Sequence, residues 1–145
     1  MTTNDDLRPA ARALALIARK LERACGSLTL AQYRVLSLVV AGDERSSLVA
    51  ERLAVAKPTV TAVVDGLVER GYLAREAIVG DRRSIRLRVT DEGRQAVAAA
   101  EDVMAAALGD LFASVTDRDG LLRGLVELHD AWVERVDARL GAVRA

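Results

Sequence analysis

The chain has 145 residues, enough for one domain with a helical extension, and is 51% hydrophobic, 29% charged and only 3% aromatic, so its core is aliphatic and its composition favours helix. Twenty-one basic residues balance 21 acidic ones, which excludes a uniformly basic nucleic-acid coat but leaves room for a local basic patch. The lone cysteine, Cys25, excludes an intrachain disulfide framework, and no apolar run approaches the roughly 18 residues of a membrane span.

Leu7, Ala11, Leu14, Ala18, Leu21, Cys25 and Leu28 recur in steps of four and three, which predicts a first helix over 7–28 with Pro9 in its first turn. Thr29 and Gln32 form a capping box for a second helix, with Val35, Leu36, Val39 and Val40 on its apolar face and Gly42-Asp43 at its end. Ser46 or Ser47 caps a short third helix through Leu53. After a turn at Ala54-Val55-Ala56, Pro58 opens a fourth from Lys57 to Arg70, and Gly71 stops it. Its Val60, Val63, Val64, Leu67 and Val68 make one apolar stripe. Gly66 inside this helix costs about 1 kcal/mol relative to alanine, and close approach of another backbone would account for it.

The period then changes to two. Ile85, Leu87 and Val89 alternate with Ser84, Arg86 and Arg88, which predicts a half-buried strand. Tyr72 to Val79 supplies its antiparallel partner, and Gly80-Asp81-Arg82-Arg83 is the turn between them. Thr90 or Asp91 starts an alanine-rich fifth helix to Ala113. A sixth runs from Asp117 towards the C-terminus, with Leu121, Leu125, Leu128, Trp132, Val136 and Leu140 as a continuous seam. The fold class is therefore mainly α with a small β-hairpin: a winged helix-turn-helix, residues 29–91, flanked by N-terminal (1–28) and C-terminal (92–145) dimerisation helices.

In such a fold the second helix of the pair enters the DNA major groove. Its outward face here carries Lys57, Pro58, Thr59, Thr61, Ala62 and Asp65, with small hydroxyls suited to phosphates and base edges. The hairpin adds Arg82, Arg83, Arg86 and Arg88, a positive probe of the kind a narrow minor groove attracts. The terminal helices carry more apolar surface than one small module can bury, which predicts a homodimer through Leu7, Leu14, Leu125, Leu128, Trp132, Val136 and Leu140. The sequence has no phosphate-binding glycine loop, zinc-pair helix or nucleophile elbow, and with His129 as its single histidine it is not expected to be an enzyme or to carry a metal or cofactor.

The segment from Gly80-Asp81-Arg82-Arg83-Ser84 through Val89-Thr90-Asp91-Glu92-Gly93 resembles the wing and following helix start of the MarR family of transcription regulators. The segments Lys57 to Thr61, Asp65 to Leu73 and Leu28 to Leu36 are similar to its recognition helix and second-helix opening. The resemblance implies that Arg83 enters the minor groove, that Arg82, Ser84 and Arg86 lie at the DNA, and that Asp81 orients the wing. Ala62 and Gly66 stand where many members carry basic residues, so fewer contacts from this helix are expected. The implied function is a dimeric, sequence-specific repressor on a near-palindromic operator. It would be released by a small lipophilic or aromatic effector bound near Tyr33 and Arg34, by residues the sequence leaves unknown. Two alternatives stay open: a winged-helix protein-interaction module without DNA binding, and a thiol redox sensor acting through Cys25. The opening MTTNDDLRP lacks the apolar stretch of a secretory signal, so a cytoplasmic location is expected, with no membrane partner.

Overall fold

The computed structural model describes residues 3–42, 45–78 and 81–144, with backbone alone at 81–84, 143 and 144. Its order is α1 (Asn4–Ala24), α2 (Leu30–Val40), α3 (Ser46–Leu53), α4 (Lys57–Glu69), β1 (Leu73–Ile78), β2 (Asp81–Val89), α5 (Asp91–Phe112) and α6 (Arg118–Arg144). It is a mainly helical winged helix-turn-helix with an antiparallel hairpin.

Local chemistry explains most boundaries. Thr29 and Gln32 form the expected reciprocal cap, with N–H···O distances of 3.1 and 3.0 Å. Thr3 and Asp6 form a second such box, so α1 starts three residues before Leu7 and Pro9 falls in its second turn, where it withdraws a backbone donor. Hydrogen bonds from Thr3 hold the Asp6 carboxyl below its usual range. α3 is entered from Arg45 without a side-chain cap, so Ser46 is its first residue and neither Ser46 nor Ser47 caps it. Ala54 closes α3 in the left-handed region at φ 53°, and Gly71 turns the chain out of α4 at φ 74°. Asp117 accepts the Gly120 amide at 2.9 Å where α6 begins.

The hairpin pairs Leu73 with Val89 and Ala77 with Ile85, and its register shifts between Ala77 and Ile78. β2 begins at Asp81, so Asp81, Arg82 and Arg83 belong to strand backbone rather than to a turn. The expected turn residue Gly80, the strand end Val79 and the helix end Asp43 lie outside the described residues.

One core holds the winged unit together. Val35, Leu36, Val49, Val60, Val64, Leu67, Leu73, Leu87 and Val89 converge there, and Val97 and Ala100 carry it past residue 91 into α5. The alternation on β2 predicts Ile85 inward with Leu87, yet Ile85 is 50% exposed. The hairpin outreaches the core, so inward direction there no longer means burial. The structure also corrects the reading of Gly66: the nearest atom a Cβ there would meet is Gln32 Nε2 at 4.0 Å, and no backbone of another described element comes within that distance.

The terminal helices differ from the core. α1 has no buried residue, and its C-terminal part packs on α5. No described side chain of α6 is buried, and its ion pair to the body joins Asp137 to Arg52 of α3 at 2.9 Å. Leu7, Leu14, Leu121, Leu122, Leu128 and Trp132 are exposed on these two helices.

Candidate nucleic-acid interface and effector cleft

α4 buries Val60, Val64 and Leu67 and thereby turns Lys57, Pro58, Thr59, Thr61, Ala62 and Asp65 outward, all of them exposed. Thr61 Oγ1 donates to Lys57 O at 3.0 Å, so the hydroxyl offers an incoming group its lone pairs and its methyl rather than its hydrogen. The Asp65 carboxylate pairs with the Arg75 guanidinium of β1. That pair ties the helix to the base of the hairpin and offsets a negative charge that DNA would meet; exposed, it adds at most about 1 kcal/mol to stability. Sequence periodicity singles out Asp65 but not its partner, ten positions away on another element.

Arg86 and Arg88 point outward from β2, as the alternation predicts, and Arg88 pairs with Glu76 across the hairpin. The side chains of Asp81, Arg82, Arg83 and Ser84 lie outside the described residues. At the exit of α4, Arg70 donates to Ser27 O at 3.0 Å, to Gln32 Oε1 at 3.3 Å and to Tyr72 Oη at 3.2 Å. It clasps α4 to the cap of α2.

A cleft of about 360 Å³ opens between α1, α2 and α5. Leu21 of α1 and Met104 and Leu108 of α5 make it mostly apolar. Tyr33 and Arg34 of α2 and Glu101 of α5 supply its polar groups. Tyr33 Oη donates to Glu101 Oε1 at 3.1 Å, and burial together with the Glu101 charge pushes the phenol up to about 12. Tyr33 therefore stays a donor throughout the neutral range. A smaller notch of about 80 Å³ lies across α2, bordered by Val55, Thr59 and Val63 beside the start of α4.

Cys25 sits behind the cleft, 1% exposed, with Sγ 3.4 Å from Leu21 O and 3.5 Å from Met104 Sδ. Burial, and then the Glu22 charge, push its thiol pKa up, the opposite of what a reactive thiolate needs. A disulfide reagent is expected to modify Cys25 at least tenfold more slowly in the native protein than in urea. Equal rates would reinstate a sensing thiol.

Residues 27–84 match the model of the MarR family. CouR of Rhodococcus jostii RHA1, a transcriptional repressor solved bound to a 23-mer DNA duplex, is 28% identical with a TM-score of 0.72, over 85% of this chain and 89% of that one. Over this winged unit the chain is similar to the MarR family. Members of this family are transcription regulators, not enzymes. A MarR-family protein of Mycobacterium tuberculosis, solved with salicylic acid, is 25% identical with a TM-score of 0.70, over 88% of this chain and 97% of that one. YusO of Bacillus subtilis is likewise 25% identical, with a TM-score of 0.66 over 90% and 98%. No helix among the described residues is long and apolar enough to cross a membrane.

The structure brings Tyr33 and Arg34 together with Glu101, Met104 and Leu108, which sequence reasoning missed. The available signal was the spacing of Glu101, Met104, Ala105 and Leu108, a second face of α5 distinct from the core face of Val97 and Ala100.

Proposed function

We propose that this chain is a MarR-type regulator: a cytoplasmic homodimeric repressor that binds a near-palindromic operator and releases it when a small lipophilic or aromatic acid enters the cleft. Residues 29–91 are the DNA-binding part. Residues 1–28 and 92–145 dimerise, through Leu7, Leu14, Leu125, Leu128, Trp132, Val136 and Leu140. The observation that carries the reading is the exposed outer face of α4 standing beside an arginine-bearing hairpin on a single core. Two copies then present two recognition helices to successive major grooves, with half-sites about one helical turn apart. The DNA complex of CouR supports the first half of the reading, and the salicylic acid complex of the Mycobacterium tuberculosis protein supports the second.

Lys57, Pro58, Thr59, Thr61, Ala62 and Asp65 lie at the major groove in this reading, and Arg82, Arg83, Ser84 and Arg86 at the backbone and minor groove, with Asp81 orienting the wing. Selection from a random-sequence DNA pool is expected to yield an inverted repeat, bound with a steep loss of affinity as salt rises. Arg83→Ala is expected to weaken that binding about tenfold, a loss of about 1.4 kcal/mol, with the fold intact. A pool that yields no sequence, or binding indifferent to salt, would leave a protein-interaction module instead.

A further inference from the structure

Arg34 stands on α2 with the cleft on one side and the notch on the other, and is the one described residue that lines both. Its side chain is exposed, and its guanidinium has no hydrogen bond or ion pair among the described residues. The opposite charge in the cleft, Glu101, is already engaged by Tyr33. Thr59, on the outward face of the recognition helix, borders the notch.

We propose that Arg34 couples the cleft to the recognition helix, because an anion in the cleft and a DNA phosphate at the start of α4 compete for its one guanidinium. This rests on the DNA-binding reading above. A cation beside a helix N-terminus is disfavoured by the helix dipole alone. Next to Thr59 it becomes favourable once a phosphate arrives, because the phosphate is drawn by both the helix end and the guanidinium. A carboxylate in the cleft offers the same guanidinium a drier, stronger charge-assisted hydrogen bond. Each anion thereby weakens the other, and by equal factors, as linkage requires. The ligand class that works this device is a lipophilic monocarboxylate: its apolar body against Leu21, Met104 and Leu108, its charge away from Glu101 and towards Arg34. The Arg34 side chain carries occupancy from one face of α2 to the other without any shift of the helix.

The test supplies the carboxylate from the protein itself. Ala105 lines the cleft on α5 and is exposed, so it accepts a longer side chain. The probe is DNA selected by the wild-type protein, titrated by fluorescence anisotropy. Ala105→Glu is expected to weaken binding about five- to tenfold, and its neutral isostere Ala105→Gln to stay within about twofold of wild type. Arg34→Gln is expected to shallow the salt dependence by about one phosphate contact per protomer. On that background Ala105→Glu should have no further effect, while Arg34→Lys should restore the salt slope and part of the coupling. Circular dichroism checks that every variant is folded. A loss from Ala105→Glu that is the same with and without Arg34, or that Ala105→Gln reproduces, overturns the proposal. A wild-type chain that selects no DNA sequence removes the DNA-binding reading, and this proposal with it.

Discussion

Gly93→Ala is expected to destabilise the protein by about 1–3 kcal/mol, the usual cost of forcing an atom into a packed site. In an open helix the same change would stabilise by up to about 1 kcal/mol, because alanine is the better helix former. The sign therefore reports the packing. Gly93 is the third residue of α5 and is buried. A Cβ built on it would collide with the Tyr72 carbonyl oxygen and sit 2.9 Å from Val89 Cγ2. Neither neighbour is free to yield. The Tyr72 carbonyl accepts the Thr90 amide at 3.1 Å, and Thr90 Oγ1 donates to Gly71 O at 2.6 Å while accepting from the Gly93 amide at 3.0 Å. The exit of α4, the end of β2 and the start of α5 are thus fastened at one point, which constrains the angle between α4 and the hairpin. Gly66→Ala is the control. With only Gln32 Nε2 at 4.0 Å to meet, it is expected to raise stability by a few tenths to about 1 kcal/mol. Urea unfolding of the two variants checks both signs; a Gly93→Ala midpoint at or above wild type would show that the junction gives way.

The same junction shows what a sequence carries and what it does not. Thr29 three residues before Gln32 is a local signal, and that cap is where its spacing puts it, while of the two starts the sequence allows for α5 it is Thr90 that caps the helix. Period-two alternation likewise located β2, and the stripe from Val60 to Val68 located the inner face of α4. Information of that kind extends over one or two turns. It indicated direction at Ile85 but not depth, because burial depends on how far the hairpin extends beyond the core. It missed the box at Thr3 and Asp6, since the apolar stripe begins only at Leu7. Partners distant in sequence left no pattern: Arg75 for Asp65, Glu101 for Tyr33, Asp137 for Arg52. The candidate site is made mostly of such pairs, so its outward-facing residues were legible while the groups that hold them in place were not.

Trp132→Asp is expected to convert a dimer into a folded monomer and to weaken operator binding more than about a hundredfold, since two linked half-sites gain their affinity from simultaneous engagement. The argument begins with α6. Trp132 is 48% and Leu128 57% exposed, on a helix that buries no described side chain within its own chain. Leu7, at 51%, extends the same kind of surface onto α1. A single chain leaves about half of each of these side chains in water, whereas a second copy that covers them gains about 25 cal/mol for each Å² of apolar surface removed from water. Aspartate at position 132 meets solvent in the monomer at little cost, but in a dimer it would be buried without a partner, a penalty of several kcal/mol. The substitution should therefore spare the core of Leu36, Leu67 and Leu87 and remove only the association. Sedimentation at several concentrations, with urea unfolding alongside, separates these effects: wild-type stability should rise with protein concentration, and the variant's should not. Trp132→Leu keeps an apolar anchor and should remain dimeric. If Trp132→Asp sediments as the wild type does, this face of α6 is not the interface, and the two half-sites must be joined by another surface.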